Sequence, residues 1–184
     1  MNKKFLNEII NTPSPSGREY ILQKKIKEHM KDYVDLQISD DQGDLINIIN
    51  PESDIKVLLA AHSDEISLIV DGYNSNGTLK VSANGGVNAS VYLGSHVDIL
   101  VDDEVIHGVV GINSELTKKG DLKVHDLFID LGTTLEETKK LVPLGSYIIH
   151  SQGINDLKND YFSARALDDR LGVYIIETAI KREK

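Results

Sequence analysis

The sequence predicts an α/β domain interrupted by a β-rich insert, and three features carry that expectation. The chain opens with two helical patterns followed by strand-like apolar runs. After Ile66 its character changes to short, closely spaced strands bounded by turn residues. A helical pattern returns only near the last residues. The predicted organisation is residues 1–66 as the first part of an α/β domain, 67–160 as a β-rich small barrel or sandwich, and 161–184 as the α/β domain resumed.

Each element has its own signal. In "KKFLNEII", Phe5, Leu6, Ile9 and Ile10 fall on one stripe at helical spacing. "NTPSPSG" ends that helix. Ser16 and Glu19 have capping-box spacing and open a second helix to about Met30, with Ile21, Leu22, Ile26 and Met30 as its buried face. "DLINIIN" and "IKVLLAAH" read as strands around the turn-like "PESD". The second is apolar on both faces, which suits a strand covered by a layer on each side. "SLIVDGY", "NSNG" and "TLKVSA" read as a hairpin, with Asn76 and Gly77 supplying positive φ. "HVDILV", "EVIHGVVG", "DLFIDLG" and "SYIIH" continue the β-rich region. One helix interrupts it, about Leu135 to Leu141, introduced by the capping-box pair Thr134 and Glu137. In the closing helix, Leu171, Tyr174, Ile175, Thr178 and Ala179 share a face.

Composition narrows the function. The 184 residues, 40% of them apolar, suffice for a real core, and the net charge of −9 is spread along the chain. A nucleic-acid partner is not expected, because phosphate binding needs a cationic face. There is no cysteine, so any metal site must be built from His, Asp and Glu. No run approaches the roughly 20 apolar residues that span a bilayer. Asn7 and Glu8 interrupt the only apolar stretch near the start, so no secretory signal is read there. No membrane partner is expected, and the expected location is cytoplasmic. The Gly-x-Ser-x-Gly elbow and the phosphate-loop spacing are both absent.

The chemistry sits in two short stretches. "VLLAAHSDEIS" ends an apolar run in His62, Asp64 and Glu65. Residues two apart on a strand point the same way, so Asp64 can accept from the imidazole nitrogen of His62 that faces away from a metal. "ALDDRLG" places Asp168 and Asp169 at a helix start. Each stretch also has a plain reading: a hydrogen-bonded His–Asp pair, and two acids favouring the positive end of a helix dipole. His29, His96, His107, His125 and His150 lack ligand spacing and read as surface or packing residues.

Taken in order, these pieces resemble the tetrahedral, self-compartmentalising metallo-aminopeptidases, which include glutamyl and deblocking aminopeptidases, some carrying an older endoglucanase label. "SPSGRE" is similar to the family's opening loop and helix, and "DDQGDL" to its Gly-Asn-Leu turn. "AAHSDEI" is similar to its metal-binding strand, "HGVVG" and "LFIDLG" to its insert, and "ALDDRLG" to its second metal motif. The resemblance implies an α/β metallopeptidase half-domain around an insert that supports homo-oligomeric assembly. It implies His62 as ligand to one metal, Asp168 as a bridge between two, and Asp64 as the carboxylate that orients His62. It further implies a cis peptide between Asp168 and Asp169, two divalent ions (Zn²⁺, with Co²⁺ or Mn²⁺ as substitutes), and peptides as substrates.

The family pattern continues with a Glu-Glu pair, a further Asp and a later His, which "ETAIKREK" does not supply. Two ligand groups and no general base lead to an expectation of little activity for this chain alone, since a catalytic zinc usually takes three protein ligands. Three accounts stay open: a truncated product of an ordinary aminopeptidase, one half of a split enzyme whose second chain carries the missing ligands, or a non-catalytic binding or assembly module. A glycoside hydrolase built on Asp64 and another carboxylate is a further alternative, which leaves His62 and Asp168 without a role. Ser67 and Asp44 depart from the family's usual Gly and Asn.

Overall fold

Phe5, Leu6, Ile9 and Ile10 all lie buried on one side of α1 (Lys3–Asn11), as their spacing requires of an amphipathic helix. The computed structural model describes residues 3–112 and 121–183. The chain divides into two units, Met1–Glu65 with Gly153–Lys184 and Ile66–Gln152. The return to the first unit thus falls at Gly153, earlier than the 161 expected from sequence.

In the first unit α1 packs with α2 (Tyr20–Met30), whose Leu22, Ile26 and Met30 are buried. Ile21, expected on that face, is instead 45% exposed. The expected cap also differs. Glu19 is the N-cap residue and makes no side-chain cap, because its carboxylate accepts from the Gly17 amide at 2.6 Å. The Ser16 hydroxyl is engaged elsewhere, by Asp64. Strands β1 (Leu36–Ser39) and β2 (Leu45–Ile48) form an antiparallel pair with Leu36 opposite Ile48.

The apolar run expected to be a covered strand is the largest departure. Residues 55–62 join no strand pairing among the described residues. Ile55, Val57 and Leu59 are exposed, and Leu58 is 86% exposed. A strand is made by its neighbours, and among the described residues no strand pairs with this run.

The final helix, α5 (Leu167–Glu183), is non-helical at Asp168 (φ −90°, ψ 107°) and Asp169 (φ −122°, ψ 34°). Tyr174 and Glu177 are buried, whereas Ile175, placed on the same face as Tyr174 by its spacing, is 58% exposed. Among the described residues, no helix is long and apolar enough to cross a membrane.

The second unit is a closed six-stranded antiparallel barrel. Its strands are β3 (Ser67–Tyr73), β4 (Leu79–Asn84), β5 (His96–Val101), β6 (Glu104–Ile112), β7 (Leu127–Asp130) and β8 (Tyr147–His150). They close in the order β3-β4-β7-β6-β5-β8, leaving no free edge within the barrel. Alternate residues fill the interior, among them Leu68, Val70, Val81, Val97, Ile99 and Ile148. The β3–β4 turn needs positive φ at Gly77 (+90°) and not at Asn76. A Cβ on Gly77 would also come within 2.2 Å of the Thr133 carbonyl oxygen, so glycine is required there twice over. Helix α3 (Ala89–Tyr92) is a single turn. Helix α4 (Leu135–Leu141) carries both hydrogen bonds of the Thr134–Glu137 capping box.

Candidate metal centre

His62, Asp64 and Asp168 meet in the first unit although 106 residues separate the first from the last. His62 Nδ1 lies 2.9 Å from Asp64 Oδ1, and its Nε2 lies 3.2 Å from Asp168 Oδ1. Residues 62–64 belong to no strand, yet the two-residue spacing still brings His62 and Asp64 together. Asp168 is presented by the non-helical first turn of α5, and the Asp168–Asp169 peptide is cis, as the resemblance implied. Its carboxylate is 96% exposed.

The second acid of the pair does something else. Asp169 Oδ1 accepts from the Gly172 amide at 3.1 Å, an N-cap contact that starts the regular part of α5. Asp168 is left to the site.

Asp64 is held from two sides: one oxygen takes the His62 contact and the other the Ser16 hydroxyl. Ser16 therefore belongs to the site, a role its capping-box pattern concealed. Burial alone would lower the pKa of His62. The charge and hydrogen bond of Asp64, with those of Asp168, outweigh it, and the imidazole is held above its ordinary value.

The nitrogens of His62 set a constraint. A neutral ring that donates Nδ1–H to Asp64 turns an Nε2 lone pair toward a carboxylate oxygen. Two acceptors face each other at 3.2 Å, and only a proton or a cation between them makes that contact favourable. Imidazole nitrogen with carboxylate oxygen is a donor set that suits Zn²⁺, and Co²⁺ or Mn²⁺ in its place. The donors fit such an ion in kind and fall short of a full set. Among the described residues, no group of three or more His, Asp or Glu could hold a metal.

Behind these residues lies a buried charged cluster. Arg170 is fully buried. Its guanidinium donates to the carbonyls of Ser63 (3.0 Å), Ile9 (2.8 Å), Ile10 (3.1 Å) and Thr12 (3.0 Å), and to Glu65 Oε1 (2.9 Å). Glu65 also takes Arg165 Nη1 on both carboxylate oxygens at 2.5 Å and the Ser14 amide at 3.1 Å. Burial lowers the pKa of Arg170, opposed by the charge of Glu65. "DEI" and "DDR" are visible in the sequence, but nothing in the spacing shows that Glu65 and Arg170 pair.

The M42 glutamyl aminopeptidase family matches residues 43–184. The chain belongs to that family. This M42 member is 25% identical over 186 residues to a lysyl aminopeptidase of Pyrococcus furiosus, covering 96% of this chain and 54% of that one. Its structure superposes on an aminopeptidase of the archaeon Desulfurococcus kamchatkensis with a TM-score of 0.89 at 27% identity, covering 97% and 51% of the two chains. A TET1 peptidase of Pyrococcus horikoshii, which can assemble into a tetrahedron or a large octahedral shell, matches with a TM-score of 0.84 at 30% identity, covering 98% and 56%. The M42 chain spans about half the length of the curated relatives it matches.

Proposed function

We propose that this chain supplies the first part of a two-metal aminopeptidase site and is inactive by itself. The observation that carries the reading is His62, oriented by Asp64 and facing Asp168 across 3.2 Å, with no third ligand group among the described residues. In this reading His62 would hold one ion, Asp168 would be shared between two, and Asp64 orients the imidazole. The pair of divalent ions, when bound, would polarise a scissile carbonyl and lower the pKa of the attacking water. The chain's own contribution is placement. Asp64 keeps the proton on Nδ1, so Nε2 presents its lone pair, and Ser16 fixes Asp64 in turn. The remaining ligands and the general base would be supplied by a companion segment or chain.

The same reading makes the first unit an α/β metallopeptidase half-domain, and the second an insert through which copies assemble. Support for assembly comes from the shell-forming TET1 peptidase. Support for a missing companion comes from the unpaired apolar run at Ile55–Leu59, which a further strand would cover. Peptides are the substrate class the family name suggests. The cytoplasm is the assigned compartment, and a cysteine-free chain needs no oxidising one.

Complementation tests the reading. The 184-residue chain is mixed with the second half of a full-length relative, Zn²⁺ or Co²⁺ is added, and aminoacyl anilide hydrolysis is followed. The expected result is activity with both pieces together, lost in His62→Ala and Asp168→Asn. Activity that survives both substitutions would overturn the site assignment.

A further inference from the structure

We propose that Arg170, with Glu65 as its counter-ion, is the positioning residue that holds His62 and Asp64 in place against Asp168. The inference rests on the reading of this cluster as a metal site.

All three guanidinium nitrogens of Arg170 donate inside the first unit. Nε donates to the carbonyl of Ser63, the residue between His62 and Asp64. Nη2 donates to Glu65, the residue after Asp64. One planar group therefore grips the 62–65 segment on both sides of Asp64. The Arg170 backbone lies two residues from Asp168, so the same side chain ties the two separated arms of the site. Nη1 reaches the carbonyls of Ile9, Ile10 and Thr12 at the end of α1, which fixes the guanidinium to a helix terminus.

Glu65 is gripped as firmly. Its carboxylate faces Arg170 and Arg165, and its backbone exchanges hydrogen bonds with the loop that carries Ser16. The Glu65 amide donates to Ser14 O at 2.9 Å, and the Ser16 amide donates to Glu65 O at 3.2 Å. Ser16 then reaches Asp64. Asp168 itself is exposed and its carboxylate meets only His62 in this cluster, so precision must come from behind, through Arg170.

The alternative is a merely structural Arg170 that closes α1. A lysine separates the two roles, because one ammonium cannot hold the Ser63 carbonyl and Glu65 in the fork geometry of arginine. The test compares wild type, Arg170→Lys, Glu65→Gln and Leu6→Val, the last as a control that loosens the buried face of α1 at a residue that makes no contact with the guanidinium. The first readout needs no metal: the ¹⁵N shifts of the His62 imidazole at pH 9, which report its tautomer. The second is Co²⁺ affinity followed by its visible absorption.

The expected result is a His62 ring held as the Nδ1–H tautomer in wild type and Leu6→Val, and a mixed tautomer in Arg170→Lys. The ring is held because Asp64 is fixed by Ser16, while the exposed Asp168 carboxylate can turn into water when no ion lies between. Co²⁺ affinity should fall about 10- to 100-fold in Arg170→Lys, the scale typical for partners that orient ligands. An unchanged tautomer in a folded Arg170→Lys would overturn the inference. If Arg170→Lys does not fold, the same comparison is read from Glu65→Gln, where an unchanged tautomer is again the contradicting result. A wild-type chain that keeps its tautomer yet binds no Co²⁺ would contradict the metal reading instead, and the variants' tautomers would still decide the role of Arg170.

Discussion

At the scale of single residues, the two aspartates of "ALDDR" divide their work. Asp168 faces His62, and Asp169 turns back to cap α5 through the Gly172 amide. Gly172 leaves room for that turn: a Cβ there would come within 2.4 Å of the Asp169 carboxylate. Asp169→Ala, which removes the capping carboxylate, should cost about 1 kcal/mol, the usual cost of a lost N-cap, in denaturant unfolding. The His62, Asp64 and Asp168 meeting was legible in the sequence because it rests on short spacings and on a family pattern. The Ser16 and Arg170 contacts were not. Ser16 sits in a valid capping-box pattern, and only tertiary structure shows its hydroxyl crossing 48 residues to Asp64. Arg170 looks like any helix-start arginine until its burial is known.

At the scale of elements, local signals carried furthest where the element depends on itself. Helix α1 and the capped helix α4 follow their patterns, as do the barrel strands with apolar residues at alternate positions. The 55–62 run shows the limit, because a covered strand is specified by partners that its own sequence does not contain. Leu58→Ser should reduce self-association of the chain in light scattering while leaving its unfolding free energy nearly unchanged, since Leu58 is already 86% exposed.

Helix α5 carries a pH prediction. Glu177 is buried beside Lys181 (2.6 Å) and His29 (2.9 Å), and His29 stacks on Phe5. Burial raises the carboxyl's pKa, but hydrogen bonds and charge from Lys181 and His29 prevail and hold it below 4.5. A carboxylate depressed on folding stabilises the fold above its unfolded pKa, and that contribution is lost as pH falls through the folded value. The unfolding free energy should drop below about pH 4.5, and Glu177→Gln should flatten that drop.

At the scale of the whole molecule, a closed barrel and an α/β unit lie on one chain that spans about half of its curated relatives. The barrel has a filled interior and no free strand edge, whereas the other unit leaves apolar residues at Ile55–Leu59 uncovered. In the proposed reading, a companion would cover the unit that carries His62 and Asp168. The most direct test of that account is hydrolysis of an aminoacyl anilide by the purified 184-residue chain supplied with Zn²⁺, Co²⁺ or Mn²⁺. The account predicts no turnover above that of the free ions. Turnover at ordinary enzyme rates, about 1 s⁻¹ or faster, would contradict it.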